Sequence, residues 1–236
     1  MIRIICIILA AFGVIKPFWT DAADIPSWSS FSKDDGVYAR VSTEDKVIAL
    51  TFDDGPHPYL TDKILDILDE YNAKATFFVV GQMASAYPEV LKRVALRGHE
   101  IGNHTYTHLA ESDDGCDKLR SEIQRTEDTV FQLTAKKTFL FRPPTGHCCP
   151  SAVKMTGELG YKTVVWDIDT RDWAHNSPAR ILSEVKKHAH SGSIILFHDF
   201  IGRESPTPDA LRATLKYLKG QGYSFITVGE MISAYE

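Results

Sequence analysis

The sequence predicts an α/β fold built on parallel strands, either a (β/α) barrel or a doubly wound sheet, on three observations. Seven short apolar runs alternate with segments whose apolar residues recur at helical spacing. The runs are apolar almost throughout, as expected of strands covered by helices on one face and a core on the other. Strict βα order calls for right-handed crossovers, and these make neighbouring strands parallel.

The first stretch stands outside this alternation. Arg3 precedes a 12-residue apolar run over 4–15, and small residues follow at Thr20, Ala22 and Ala23. This is the layout of a secretory signal peptide over residues 1–23. Twelve residues fall short of the ~20 that span a bilayer. Export to the cell surface or beyond is therefore expected, with an uncleaved membrane tether through residues 4–15 as the alternative. Residues 24–45, with Pro26, several serines and Asp34-Asp35-Gly36, read as a linker or irregular lead-in. Residues 46–236 read as one domain.

Within that domain the strand candidates are 47–52, 75–80, 99–102, 138–141, 162–168, 193–197 and 223–226. Helical spacing appears at Ile64, Leu65, Leu68 and Tyr71, then at Val90, Leu91, Val94 and Ala95, then at Ile181, Leu182 and Val185, and finally at Leu211, Leu215 and Leu218. Pro88 and Pro178 suit first-turn positions. Gly98 and Gly220 suit left-handed caps.

Composition bounds the function. The chain has 236 residues with Lys+Arg 26 against Asp+Glu 31, so its formal charge is 26 − 31 = −5. Strong attraction to nucleic acid by bulk charge is excluded, because that footprint needs a basic excess or a clustered basic face; the balance leaves local basic patches open. With 44% hydrophobic and 24% charged residues, neither disorder nor a polytopic membrane fold is favoured. Cys6 falls in the leader, and Cys116, Cys148 and Cys149 form neither a disulfide framework nor a metal-binding C-x-x-C. In an oxidising compartment Cys116 could pair with one of the other two.

Polar residues gather where the strand candidates end. Asp53 and Asp54 follow Phe52, His104 and His108 follow Ile101, Arg142 follows Phe141, Asp167 and Asp172 follow Trp166, and His198 follows Phe197. Loops at that end of a parallel sheet converge on one mouth, which is where sites are built. His104 and His108 are spaced so that both imidazoles can address one ion. A carboxylate from the 53–54 pair completes two histidines and one acid, leaving positions open for water and substrate. The competing structural reading takes Asp-Asp-Gly-Pro as a turn and the histidines as a solvated pair. A non-haem iron oxygenase would use the same ligands, but on an all-β scaffold.

Five motifs resemble the polysaccharide deacetylases of the NodB homology domain, carbohydrate esterase family four. They are Thr51-Phe52-Asp53-Asp54-Gly55-Pro56, His104-Thr105-Tyr106-Thr107-His108, Phe141-Arg142-Pro143-Pro144-Thr145-Gly146, Asp169-Thr170-Arg171-Asp172-Trp173 and Leu196-Phe197-His198. The resemblance implies a distorted (β/α) barrel of about seven parallel strands and a hydrolase that removes acetyl groups from a cell-wall or extracellular polysaccharide. It also implies one divalent ion, zinc by default with cobalt or manganese as substitutes, held by Asp54, His104 and His108. Asp53 becomes the general base, Arg142 its orienting partner, His198 the general acid and Asp172 that acid's carboxylate partner. Trp173 and Leu196 line the acetyl pocket, and the Thr145 N–H stabilises the oxyanion.

The chain departs from the family pattern at Thr145, where tyrosine is usual, and at His147-Cys148-Cys149. His57, His99, His188 and His190 read as structural, while Arg171 and His175 are groove candidates. The expected partner is an acetylated glycan, with peptidoglycan, chitooligosaccharide, exopolysaccharide and acetylated xylan all open and peptidoglycan or another cell-surface polymer favoured. A non-catalytic carbohydrate-binding relative is the other alternative. The chain is expected to act as a monomer.

Overall fold

A computed structural model describes residues 27–110, 116–201 and 204–236. The leader and tether expectation for residues 1–23 lies outside them. No helix among the described residues is long and apolar enough to cross a membrane.

Among the described residues nine strands form one parallel sheet: β1 (Val37–Tyr38), β2 (Val47–Asp53), β3 (Ala75–Val79), β4 (Glu100–Asn103), β5 (Leu140–Phe141), β6 (Lys162–Val164), β7 (Ile168–Asp169), β8 (Ile194–His198) and β9 (Ser224–Phe225). Their order is β1-β6-β5-β4-β3-β2-β8-β7, with β9 against the start of β2. Eight α-helices accompany them among the described residues: α1 (Leu60–Glu70), α2 (Gly81–Ala86), α3 (Pro88–Leu96), α4 (Cys116–Thr134), α5 (Pro150–Glu158), α6 (Pro178–His188), α7 (Thr207–Gly220) and α8 (Val228–Tyr235). The distorted (β/α) barrel is the architecture found, and the strand count is nine where the sequence shows seven.

Both extra strands have a physical origin. The run 162–168 reads as one strand around the apolar centre Val164-Val165-Trp166 but is bent in space. The Val165 N–H donates to Tyr38 O (2.9 Å) and the Asp167 N–H to Ile194 O (3.2 Å), so the segment leaves β1 and reaches β8. β1 itself lies inside the stretch read as a lead-in, paired with β6. Beyond it Arg40 bridges Ser193, and the Val41 N–H donates to Gly192 O (3.0 Å). Gly192 has φ +81°, and a side chain there would strike the Val41 carbonyl. These bonds draw the two ends of the sheet together.

Side-chain alternation separates two cores. Ile48, Leu50 and Phe52 of β2, Phe77 and Val79 of β3, and Ile195 and Phe197 of β8 face outward into the layer under α1, α3, α6 and α7. Phe52 stacks on Phe77 (centroids 5.0 Å apart) and on Phe197 (5.8 Å). Each such buried side chain contributes roughly 1.5–3 kcal/mol. Val47, Ala49, Phe78, Val164 and Ile194 face inward, where Val228, Met231 and Ile232 of α8 pack against them. By the same alternation Thr51, Asp53, Leu196 and His198 also point inward, above that plug. The barrel interior is thus apolar at its base and chemical at its mouth.

Helix punctuation follows the sequence with one exception. α3 begins at Pro88 and α6 at Pro178, and the Ser177 side chain caps α6 by accepting from the Arg180 N–H. Gly98 adopts the left-handed conformation expected of it. Gly220 instead remains in α7, and Gly222 takes the left-handed turn.

Candidate active site

Each functional side chain is carried by a strand end or by the loop that leaves it. The register sets Asp53 directly beside His198 on β2 and β8, both facing the interior. Arg142 leaves the end of β5 and crosses underneath, wholly buried. Its guanidinium donates to Asp53 Oδ1 (2.7 Å), Thr51 Oγ1 (2.8 Å), Val164 O (3.2 Å) and Val165 O (2.9 Å). The group also lies 4.1 Å over the Phe78 ring, a cation–π contact in a desolvated setting. Arg142 therefore fixes Asp53 against the base of the site.

Asp54 follows β2 with φ 77°, and this turn swings its carboxylate away from Asp53. Asp54 Oδ1 lies 3.4 Å from His104 Nε2 and 3.2 Å from His108 Nε2. Behind the turn sits Asp199, whose buried carboxyl accepts from the Thr61 hydroxyl (2.6 Å). Any side chain at Gly55 would overlap that carboxylate. The Asp199 N–H donates to Asp53 O (3.0 Å), and the His57 N–H donates to Thr61 Oγ1 (2.8 Å). Burial pushes the Asp199 carboxyl up to about 7. Neither Asp199 nor Thr61 stands out in the sequence as a site residue.

Donors for a divalent ion converge at Asp54, His104 and His108, whose ligand atoms lie within 4.8 Å of one another. Two features show that this set fits a metal. Asp54 Oδ1 is buried without a hydrogen-bond donor of its own, an arrangement that is costly unless a cation satisfies it. His104 Nδ1 lies 2.7 Å from Arg142 O; a carbonyl only accepts, so Nδ1 carries the proton and Nε2 presents its lone pair to the site.

The loop bearing both histidines is tied to α4. Glu122 Oε2 accepts from the N–H groups of Tyr106 (2.9 Å) and Thr107 (2.6 Å) and from the Thr107 hydroxyl (3.0 Å). Strained backbone collects at the same end of the barrel. Asp54, Thr105, His108, Thr145, Arg171 and His175 all have positive φ, which costs energy at non-glycine residues and is tolerated where the surroundings fix it.

On the other side, Asp172 is wholly buried and fully engaged. Oδ1 accepts from His198 Nδ1 (2.8 Å) and the Trp173 N–H (2.9 Å), and Oδ2 from the His198 N–H (2.9 Å) and the Thr207 hydroxyl (2.6 Å). Burial alone would lower His198, but the adjoining Asp172 carboxylate outweighs it and lifts the imidazole to about 10. The imidazolium is therefore the neutral-pH form, with Nε2 left to donate. Because the folded value lies above the unfolded ~6.5, this interaction stabilises the fold fully below about pH 6.5 and is lost as pH rises toward about 10. Replacing Asp172 with Asn is expected to flatten that dependence, so that the melting temperature of metal-free protein falls less over this range than in the wild type. An unchanged slope would refute the coupling.

The remaining expectations divide. Leu196 is buried on the inward face below His198, Trp173 is half-buried beside Asp172, and Thr145 is exposed in the turn Pro144–Gly146 with φ 66°. Asp167 is not at the mouth. Its carboxylate accepts from the Ile194 N–H (2.9 Å) and Ser193 hydroxyl (3.1 Å), which secures the start of β8. Among the described residues no second metal triad forms around His147, Cys148 or Cys149. Cys148 packs with Val37, Val153 and Val165, while Cys116 and Cys149 pack on the cluster of Leu119, Phe141 and Met155. His57 Nδ1 accepts from the Leu60 N–H (3.1 Å), and His99 Nδ1 from the Ala75 N–H (3.3 Å), both structural uses.

Comparison with known proteins adds to this geometry. A family model described as polysaccharide deacetylase matches residues 40–164. A peptidoglycan-N-acetylglucosamine deacetylase of Bacillus cereus is 43% identical over 195 residues, spanning 82% of this chain and 91% of that protein. A solved peptidoglycan N-acetylglucosamine deacetylase in complex with 4-naphthalen-1-yl-N-oxidanyl-benzamide superposes with a TM-score of 0.82 at 34% identity, covering 90% of this chain and 97% of that one. A family-four pseudoenzyme from Bacillus anthracis superposes with a TM-score of 0.78 at 30% identity, covering 83% and 68%.

Proposed function

Because the chain belongs to the polysaccharide deacetylase family, we propose that it hydrolyses N-acetyl groups from N-acetylglucosamine-type residues of peptidoglycan, with zinc held by Asp54, His104 and His108. The observation that carries this reading is one mouth holding three kinds of group: the donor triad, the Arg142–Asp53 pair and the His198–Asp172 pair. The B. cereus relative supports peptidoglycan as the polymer. The complete set of Asp53, Asp54, His104, His108 and His198 supports an enzyme over a pseudoenzyme.

A divalent ion bound there supplies Lewis-acid polarisation of the acyl oxygen and a more acidic water. Asp53 takes the water proton. Its Oδ1 is occupied by Arg142, so the proton goes to Oδ2, which faces the triad 3.9 Å from His104 Nε2. His198 gives its Nε2 proton to the departing nitrogen, because an amide anion is a poor leaving group. Asp172 keeps the ring charged and correctly turned for that transfer. Leu196 and Trp173 bound the space for the acetyl methyl, and the Thr145 N–H donates to the oxyanion.

Acetate release tests the proposal. The chelated protein, supplied with zinc, cobalt or manganese, is incubated with peptidoglycan, N-acetylglucosamine oligomers and acetylated xylan. Metal-dependent acetate from peptidoglycan is expected, with mass spectrometry locating the free amine on glucosamine. Release from xylan alone would replace the substrate, and no release from any polymer with any metal would end the enzyme reading.

A further inference from the structure

The residues above act on one sugar, whereas a polysaccharide brings neighbours that must cross the rim of the mouth. Four large apolar or aromatic side chains stand out as exposed among the described residues: Tyr59, Leu96, Phe131 and Phe139. In a parallel sheet with helical crossovers, strands end at the mouth and helices end at the opposite rim. Leu96 closes α3, Phe131 lies in the last turn of α4 and Phe139 directly precedes β5, so these three belong to the far end. Tyr59 alone belongs to the mouth, five residues after Asp54 and immediately before α1.

Nothing in the local structure calls for tyrosine there. It occupies the N-cap of α1, where Ser, Thr, Asp or Asn is favoured, and its side chain makes no capping bond. His57 does that work, since its Nδ1 accepts from the N–H groups of Tyr59 (3.3 Å) and Leu60 (3.1 Å). The His57 ring also packs edge-on against Phe200 (5.2 Å), two residues beyond His198, and lies 6.1 Å from the Tyr59 ring. Three rings therefore join the loop carrying Asp54 to the loop leaving His198. The backbone that presents Tyr59 is pinned, while the residue as a whole is 76% exposed.

We propose that Tyr59 is a stacking platform for a pyranose ring adjoining the sugar that reacts, with His57 and Phe200 as its support. The β-configured glucosamine ring has equatorial substituents, so its two faces present C–H groups of partial positive charge. These complement the electron-rich face of an aromatic ring. An aromatic side chain on a pinned backbone has only two torsions to order on binding, so its entropy cost is small. The consequence is a preference for chain length, because a lone sugar at the metal does not reach Tyr59. This inference rests on the deacetylase reading.

The test compares N-acetylglucosamine with its tetramer. Binding is measured by calorimetry on zinc-loaded protein carrying Asp53→Asn, with or without Tyr59→Ala or Tyr59→Phe, and acetate release is measured without the Asp53 change. Tyr59→Ala is expected to weaken tetramer binding and raise the tetramer KM about tenfold, with kcat and monomer behaviour unchanged, while Tyr59→Phe keeps wild-type values. Equal losses for monomer and tetramer, or none for either, would overturn the platform. Tetramer binding that depends on Tyr59 without acetate release from any glycan would strike the deacetylase reading alone. Absence of both binding and release would remove both.

Discussion

Asp53→Asn is expected to lower acetate release by roughly 10²–10⁴-fold, the range typical for loss of a positioned base, while zinc binding stays near the wild-type level. The substitution separates the two adjacent carboxylates. Asp54 bears the triad oxygen, 3.2–3.4 Å from both imidazoles, whereas Asp53 Oδ1 is committed to Arg142. Asparagine keeps the size of the side chain and can turn its carbonyl oxygen toward Arg142. Its amide nitrogen then occupies the Oδ2 position, where it has no lone pair to take a proton. Asp54→Asn should lose both activity and zinc, because it weakens the one anionic ligand. Calorimetric zinc titration beside acetate assays distinguishes the two cases. If Asp53→Asn loses zinc as completely as Asp54→Asn, the division of roles is wrong.

The parts of this site that the sequence discloses are those whose chemistry is unusual for their position. An apolar run ending in Asp53-Asp54, or in His198, interrupts a buried pattern with charge, and a parallel sheet brings such ends together. What supports them is hidden, because ordinary residues do that work across long separations. Asp199 meets Thr61 across 138 positions, and Thr207 meets Asp172 across 35. Glu122 reads as one more solvated helix acid until the loop of His104 and His108 folds onto it. The longest helix escapes for a related reason. α4 buries only Leu119, Ile123, Thr126 and Val130 of its 19 residues, a seam too narrow for an apolar stripe to declare itself. Conversely, the apolar centre Val164-Val165-Trp166 makes 162–168 read as one strand and conceals a bend, because the two halves pair with different neighbours.

Arg142 is where stability and chemistry meet, and Arg142→Met is expected to cost about 3–5 kcal/mol of folding free energy, the usual penalty for stranding one member of a buried ion pair. Burial pulls the guanidinium downward, and Asp53 opposes that pull, so each charge makes the other tolerable in the interior. Methionine fills much of the volume against Phe78 but leaves the Asp53 carboxylate without its counter-charge and Val164 O and Val165 O without their donor. Arg142→Lys restores charge but not the planar fork that serves Asp53, Thr51 and both carbonyls at once; it should recover part of the stability and little of the activity. The decisive comparison adds Asp53→Asn to Arg142→Met. If the penalty comes from a stranded charge, urea unfolding should show the double variant losing less than the sum of the single losses, because the second change removes the carboxylate that the first left alone. Strict additivity would mean that Arg142 acts through its packing and its carbonyl bonds, with Asp53 held by other means.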